Sequence, residues 1–107
     1  MASNPKEYFE IKVAERLQEK PDAFLKINAV YQFNITGQIG GCWTVDLTKP
    51  EVRAGEDESA QCVVTAEGDD FMKVISGEVN PQVAFMSGKL RIGGDMSLAM
   101  KLGEIIV

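Results

Sequence analysis

The chain has 107 residues, the size of one compact domain, and lacks any proline, glycine or serine tract long enough for a linker, so it reads as a single domain over residues 1–107. Apolar residues make up 45% of it in short dispersed runs, none near the roughly 20 of a membrane span, and the small polar start from Met1 to Lys6 does not read as a secretory signal, which points to a cytosolic compartment. Eleven basic against sixteen acidic residues give a net charge of −5, which disfavours nucleic acid and repels anionic membranes at long range, and the absence of histidine removes the commonest general base and metal ligand.

Asn4 before Pro5 is a helix-start signal, and a helix is predicted from about Pro5 to Lys20, with Phe9, Val13 and Leu17 forming a narrow apolar stripe flanked by Tyr8 and Ala14. Pro21 stops it, and a short helical turn follows around Ala23 to Ile27. From Ala29 the period changes to two. Tyr31, Phe33 and Ile35 alternate with polar neighbours, Gly37 to Gly41 makes a turn, and Trp43, Val45 and Leu47 repeat the alternation, so the two strands read as an antiparallel pair. Lys49-Pro50 breaks the second. Strands around Val52 to Gly55 and from Ala60 to Glu67 would complete a four-stranded meander with helices over one face.

Helices return in the second half. Asp69 is read as the cap of a segment holding Phe71, Met72, Val74 and Ile75, with Gly77 as its left-handed terminator. Asn80-Pro81 starts the next, Gln82 to Ser87, whose Val83, Ala84, Phe85 and Met86 make it apolar nearly all round, so it must be buried or lie against a ligand. Gly88 ends it, Leu90 and Ile92 mark a fifth strand, and Asp95 caps a last helix in which Leu98, Leu102, Ile105 and Ile106 follow helical spacing beside Met96 and Met100.

Little in the pattern carries covalent chemistry. Without histidine, no Ser-His or Cys-His nucleophile can form. Gly93-Gly94-Asp95 lacks the dinucleotide glycine pattern and the lysine of a phosphate loop, and a strand-to-helix turn explains it. Asp69 and Asp70 fit the electrostatics of a helix start, and Glu56 to Glu58 a solvated loop. Cys42 and Cys62 are too few for a disulfide scaffold or paired zinc ligands; buried thiols are the default, and a bridge between neighbouring strands is the alternative. Trp43 fits the core through strand alternation, with ligand stacking as the alternative reading. The positive signal is Phe71, Met72, Phe85, Met86, Met96 and Met100 in closely spaced helices, adaptable side chains that suit either an ordinary core or an irregular apolar ligand.

The run Asp70-Phe71, Gly77, Asn80-Pro81, Ala84-Phe85-Met86, Gly88-Lys89-Leu90, Ile92, Gly94-Asp95-Met96 and Leu98-Ala99-Met100-Lys101-Leu102, extended upstream through Trp43, Asp46-Leu47 and Ala60 to Cys62, resembles the sterol carrier protein type 2 family over roughly Lys6 to Leu102. The resemblance implies an α+β fold with a five-stranded mixed sheet, helices on one face and an apolar tunnel between them for fatty acids, acyl-CoA, sterols or phospholipids. It implies no enzyme activity and no cofactor. The tunnel lining maps onto Phe71, Ile75, Val83, Phe85, Met86, Leu90, Ile92, Met96, Leu98, Met100, Leu102 and Ile105. Expected partners are a small-molecule lipid, at most a transient membrane contact, and a lipid-metabolising enzyme; the alternative function is an accessory or dimerisation module whose cavity is filled by its own side chains. Two departures stand out. Gln61 replaces an acidic residue common in the family, and the chain ends at Ile106-Val107 without the Ser-Lys-Leu type terminus of the animal carriers, which suggests a stand-alone carrier or an excised domain.

Overall fold

The computed structural model describes residues 4–106. The polar start from Met1 to Ser3, the terminal Val107 and the side chains of Glu104 and Ile106 lie outside the described residues, so the readings that touch them end with the sequence.

Asn4 accepts a 2.8 Å bond from the Glu7 N–H and Pro5 occupies the first turn, so the chain enters α1 (Pro5–Glu7) as the capping signal requires. The helical path then runs through a π-helical segment (Tyr8–Val13) into α2 (Ala14–Glu19), where the spacing predicted one regular α-helix. Tyr8 and Phe9, adjacent in sequence, are both buried, while Glu10, Ile11 and Lys12 face solvent. Pro21 begins α3 (Pro21–Leu25), two residues upstream of the turn expected there.

Strands β1 (Val30–Thr36), β2 (Gly41–Asp46), β3 (Glu51–Ala54) and β4 (Cys62–Glu67) precede α4 (Gly68–Ile75) and α5 (Pro81–Met86); β5 (Leu90–Gly94), α6 (Met96–Ala99) and α7 (Gly103–Ile106) follow. The sheet order is β3-β2-β1-β4-β5, and β1 pairs parallel with β4 while the other neighbours are antiparallel. The first four strands are therefore not a meander. Alternation locates strands but carries no information about partners, and here the chain leaves β3 at one edge and crosses to the far side of β1. The crossing lies against a polar sheet face. Asp57 N–H donates to Gln32 Oε1, Thr44 Oγ1 donates to the Gly55 carbonyl, and Gln61 N–H donates to the Val30 carbonyl. Arg53 joins Asp46, Glu51 and Asp57 at 3.1, 2.7 and 2.5 Å, which lets Gln32, Thr44 and Asp46 be buried with their polar atoms satisfied.

The opposite face carries the core. Tyr31, Phe33, Trp43, Val45 and Val64 project toward the helices, where Phe9 stacks on Trp43 and on Phe71 with ring centroids 5.0 and 5.4 Å apart. Trp43 donates to Glu10 Oε2 at 3.0 Å, which accounts for the indole within the core. Two further elements differ from expectation. Glu67, not Asp69, caps α4, its Oε2 accepting from the Asp69 N–H at 2.9 Å because the helix begins at Gly68. The last helix is two short helices rather than one: Lys101, Leu102 and Ile105 N–H groups each bond three residues back, and the α-helix resumes only at Gly103, a weak helix former.

Candidate functional site

The β5 edge is built by local backbone chemistry. Asn80 Oδ1 accepts from the Gln82 N–H at 2.8 Å and Pro81 starts α5; Gly88, at φ +79°, ends it, and the Lys89 N–H returns to the Ala84 carbonyl to launch β5. At the far end Gly94 sits at φ +92° with the Gln61 carbonyl oxygen 2.3 Å from where a Cβ would be, so this crossing needs glycine. Asp95 then caps α6, accepting from the Ser97 and Leu98 N–H groups at 2.9 and 3.4 Å. Hydrogen bonds from the Ser97 hydroxyl and N–H hold its carboxyl below the usual range.

Between α5, β5 and the α6–α7 segment lies a groove of about 540 Å³, within the size range of small-molecule sites. Of the residues expected to line a cavity, Phe85, Leu90, Ile92, Met96, Met100 and Leu102 do. Phe71 instead belongs to the aromatic core, Ile75 packs against that core, and Leu98 and Ile105 are buried beneath the helices. Val83 and Met86 are exposed and do not border the groove: α5 turns Ala84 inward and Phe85 toward the groove, which leaves these two outside. The space is a groove at the sheet edge, with Met96 and Met100 half or more exposed at its mouth.

Asn80, Pro81, Gln82, Ala99 and Gly103 also line it and were not anticipated. A signal for some was present. Met96, Ala99, Met100 and Gly103 fall at i, i+3, i+4 and i+7, one helical face, and Pro81 stands four residues before Phe85. The longer side chains of Leu98, Leu102 and Ile105 gave the opposite stripe, which is the buried one. Asn80 and Gln82 place amides at an otherwise apolar wall.

The groups that could do chemistry are quiet. Cys62 is buried and its thiol is pushed up to about 11, first by burial and then by Asp95; Cys42, also pushed up by burial, lies on β2 with β1 between it and Cys62 on β4, so the two thiols are unpaired and do not bridge. Burial pushes the Tyr8 phenol up to about 12 against the opposing effect of Arg16. Among the described residues no group of three potential ligands could hold a metal ion, and no helix is long and apolar enough to cross a membrane. A smaller hollow of about 320 Å³ lies between α2 and α3, bordered by Arg16, Glu19 and Lys20 on one side and by Ala23, Phe24 and Ile27 on the other.

A mixed five-stranded sheet with helices on one face and an apolar groove at its β5 edge defines a small α+β domain of the ligand-cavity class. The model of the SCP-2 sterol transfer family matches residues 11–107, and the chain belongs to that family. Hydroxysteroid dehydrogenase-like protein 2 of Bos taurus is 44% identical over 81 residues, 73% of this chain and 19% of that protein. Sterol carrier protein 2 of Gallus gallus is 38% identical over 99 residues, 87% of this chain and 18% of that protein, so the chain spans about a fifth of each of these relatives. The solution structure of Sterol Carrier Protein-2 from Aedes aegypti in complex with the C16 fatty acid palmitate is similar with a TM-score of 0.74 and 26% identity, covering 92% of this chain and 91% of that one.

Proposed function

We propose that this domain takes up lipid acyl chains, or apolar ligands of similar bulk such as sterols, non-covalently in the groove between α5, β5 and α6–α7. The observation that carries the reading is the groove itself, where Phe85, Ile92, Met96 and Met100 meet solvent across a space of about 540 Å³. Covering that surface with an acyl chain removes apolar area on both partners from water at about 25 cal/mol per Å². The Aedes aegypti relative, whose structure holds palmitate, supports the same ligand class here. Methionine-rich walls adapt to shape, so specificity is loose, with Asn80 and Gln82 as hydrogen-bonding groups for a headgroup. The lack of histidine and the raised Cys62 thiol support a carrier rather than a catalyst.

The test is titration of the delipidated protein with a fluorescent fatty acid, followed by displacement with palmitoyl-CoA and with cholesterol. Saturable binding near one ligand per chain is expected, and its absence in a folded protein contradicts the reading. A second reading follows from the relatives' lengths: the same groove serves as the lipid-presenting module of a longer protein, since the matched dehydrogenase-like protein is about five times the length of the match. Faster turnover of a lipid substrate by such an enzyme when this domain is added would favour it.

A further inference from the structure

Along the α6–α7 wall of the groove, long and short side chains alternate: Met96 and Met100 are long, Ala99 and Gly103 are short, and all four border the space. Ala99 closes α6 and Gly103 opens α7, so the two small residues lie about one helical turn apart on the same face. The groove is widened where they stand.

The backbone does not ask for glycine at 103. A left-handed angle or a close neighbouring atom accounts for most of the chain's glycines, as both do at Gly94. Gly103 has neither reason: it is helical, and a Cβ built on it meets nothing within 4 Å. Alanine would fit there and is the better helix former. A weak helix former standing where a better one fits marks a place where local stability yields to the needs of a site. Gly93 has equally open surroundings, but alternation along β5 turns it away from Leu90 and Ile92, and it does not line the groove.

A straight acyl chain is narrow, and flexible methionine side chains can close around it without help from a residue at 103. Fused rings and methyl-branched chains are broader, and they need the space that a side chain there would fill. We propose that Gly103, with Ala99 beside it, sets the width of the groove and admits these broader lipids alongside straight chains. The inference rests on the groove as the lipid site and names the residues that decide which shapes enter it.

The experiment is displacement of a fluorescent fatty acid from the delipidated whole chain by palmitate, phytanate and cholesterol. Phytanate has the headgroup and backbone length of palmitate plus methyl branches, so the difference between those two reports width alone. The parent is expected to bind all three. G103V is expected to lose roughly tenfold in affinity for phytanate and cholesterol while palmitate stays within about twofold, and G103A to show a smaller loss of the same kind. G93A adds the same methyl outside the groove and should leave all three affinities unchanged. Trp43 fluorescence and thermal melts check folding; G103A, expected to melt no lower than the parent, keeps the comparison readable if valine is not tolerated. Equal losses for all three ligands in a folded variant, or no loss for any, overturn the proposal, as does a parent that binds palmitate and rejects both broader lipids. A parent that binds none of the three refutes the groove as the lipid site and the width claim with it, whereas palmitate binding with unaltered discrimination in the variants refutes the width claim alone.

Discussion

The hydroxyl of Tyr31, at the centre of the sheet on β1, donates a 2.7 Å hydrogen bond to the carbonyl of Leu98 on α6, a buried link between residues 67 positions apart. Arg16 Nη1 makes a comparable 2.5 Å bond to the Ile105 carbonyl on α7. The C-terminal segment has only two short helices, so these bonds tie the outer wall of the groove to the strand and helix behind it.

Replacing Tyr31 by phenylalanine leaves the Leu98 carbonyl without this donor in a buried setting, which costs about 1–2 kcal/mol. Urea unfolding should show that loss, and hydrogen exchange should quicken in α6 more than in β1 and β4. Equal acceleration throughout would mean that the bond stabilises the fold without positioning the wall.

Gly94→Ala forces a Cβ against the Gln61 carbonyl oxygen at a backbone angle that side chains avoid. A destabilisation above about 2 kcal/mol is expected. Gly93→Ala, next to it with open space around its Cα, should cost far less, and a thermal melt of both variants reads the contrast.

Phe85→Glu and Met100→Glu introduce charge at the groove wall at positions already reached by water. Fatty-acid affinity should fall by about tenfold or more while thermal stability changes by only a few degrees. Unchanged affinity in either folded variant removes that residue from the site.

Asp46 connects acid stability to the polar sheet face. Burial pushes its carboxyl up, but hydrogen bonds from the Thr48 hydroxyl and N–H, then the Arg53 guanidinium, outweigh that and hold it below the usual carboxylate range. A carboxyl held low in the folded state favours folding above its unfolded value near 4, and the contribution disappears as pH falls through the folded value. Asp46→Asn should therefore lower the urea midpoint clearly at about pH 7, and the gap should narrow as pH falls below about 4 and through the folded value, where the parent's carboxyl becomes neutral. A gap that stays the same size across that fall would show that the group acts through shape alone.

Local signals in the sequence proved reliable where the physics is local. Asn80 before Pro81, Gly88 and Asp95 mark helix ends by capping and left-handed geometry, and each does so in the structure. The alternation around Tyr31 and Trp43 located the core face. The antiparallel pairing of β1 with β2 was legible, whereas the parallel pairing of β1 with β4 was not, because it depends on a loop that crosses the sheet. The groove was legible in half of its expected residues: Phe71, Leu98 and Ile105 look like Phe85, Ile92 and Met96 in composition, and only the three-dimensional packing sorts buried from lining side chains. Ala99 and Gly103 escaped because their small side chains leave space rather than filling it.

The most direct measurement is methyl NMR of the delipidated protein titrated with palmitate, following Ile92, Met96 and Met100. Saturable shifts at these groove methyls, with Ile11 unmoved on the far helical segment, are the expected result. Palmitate that leaves the three methyls unmoved, or shifts other sites in their place, would contradict the groove as the lipid site.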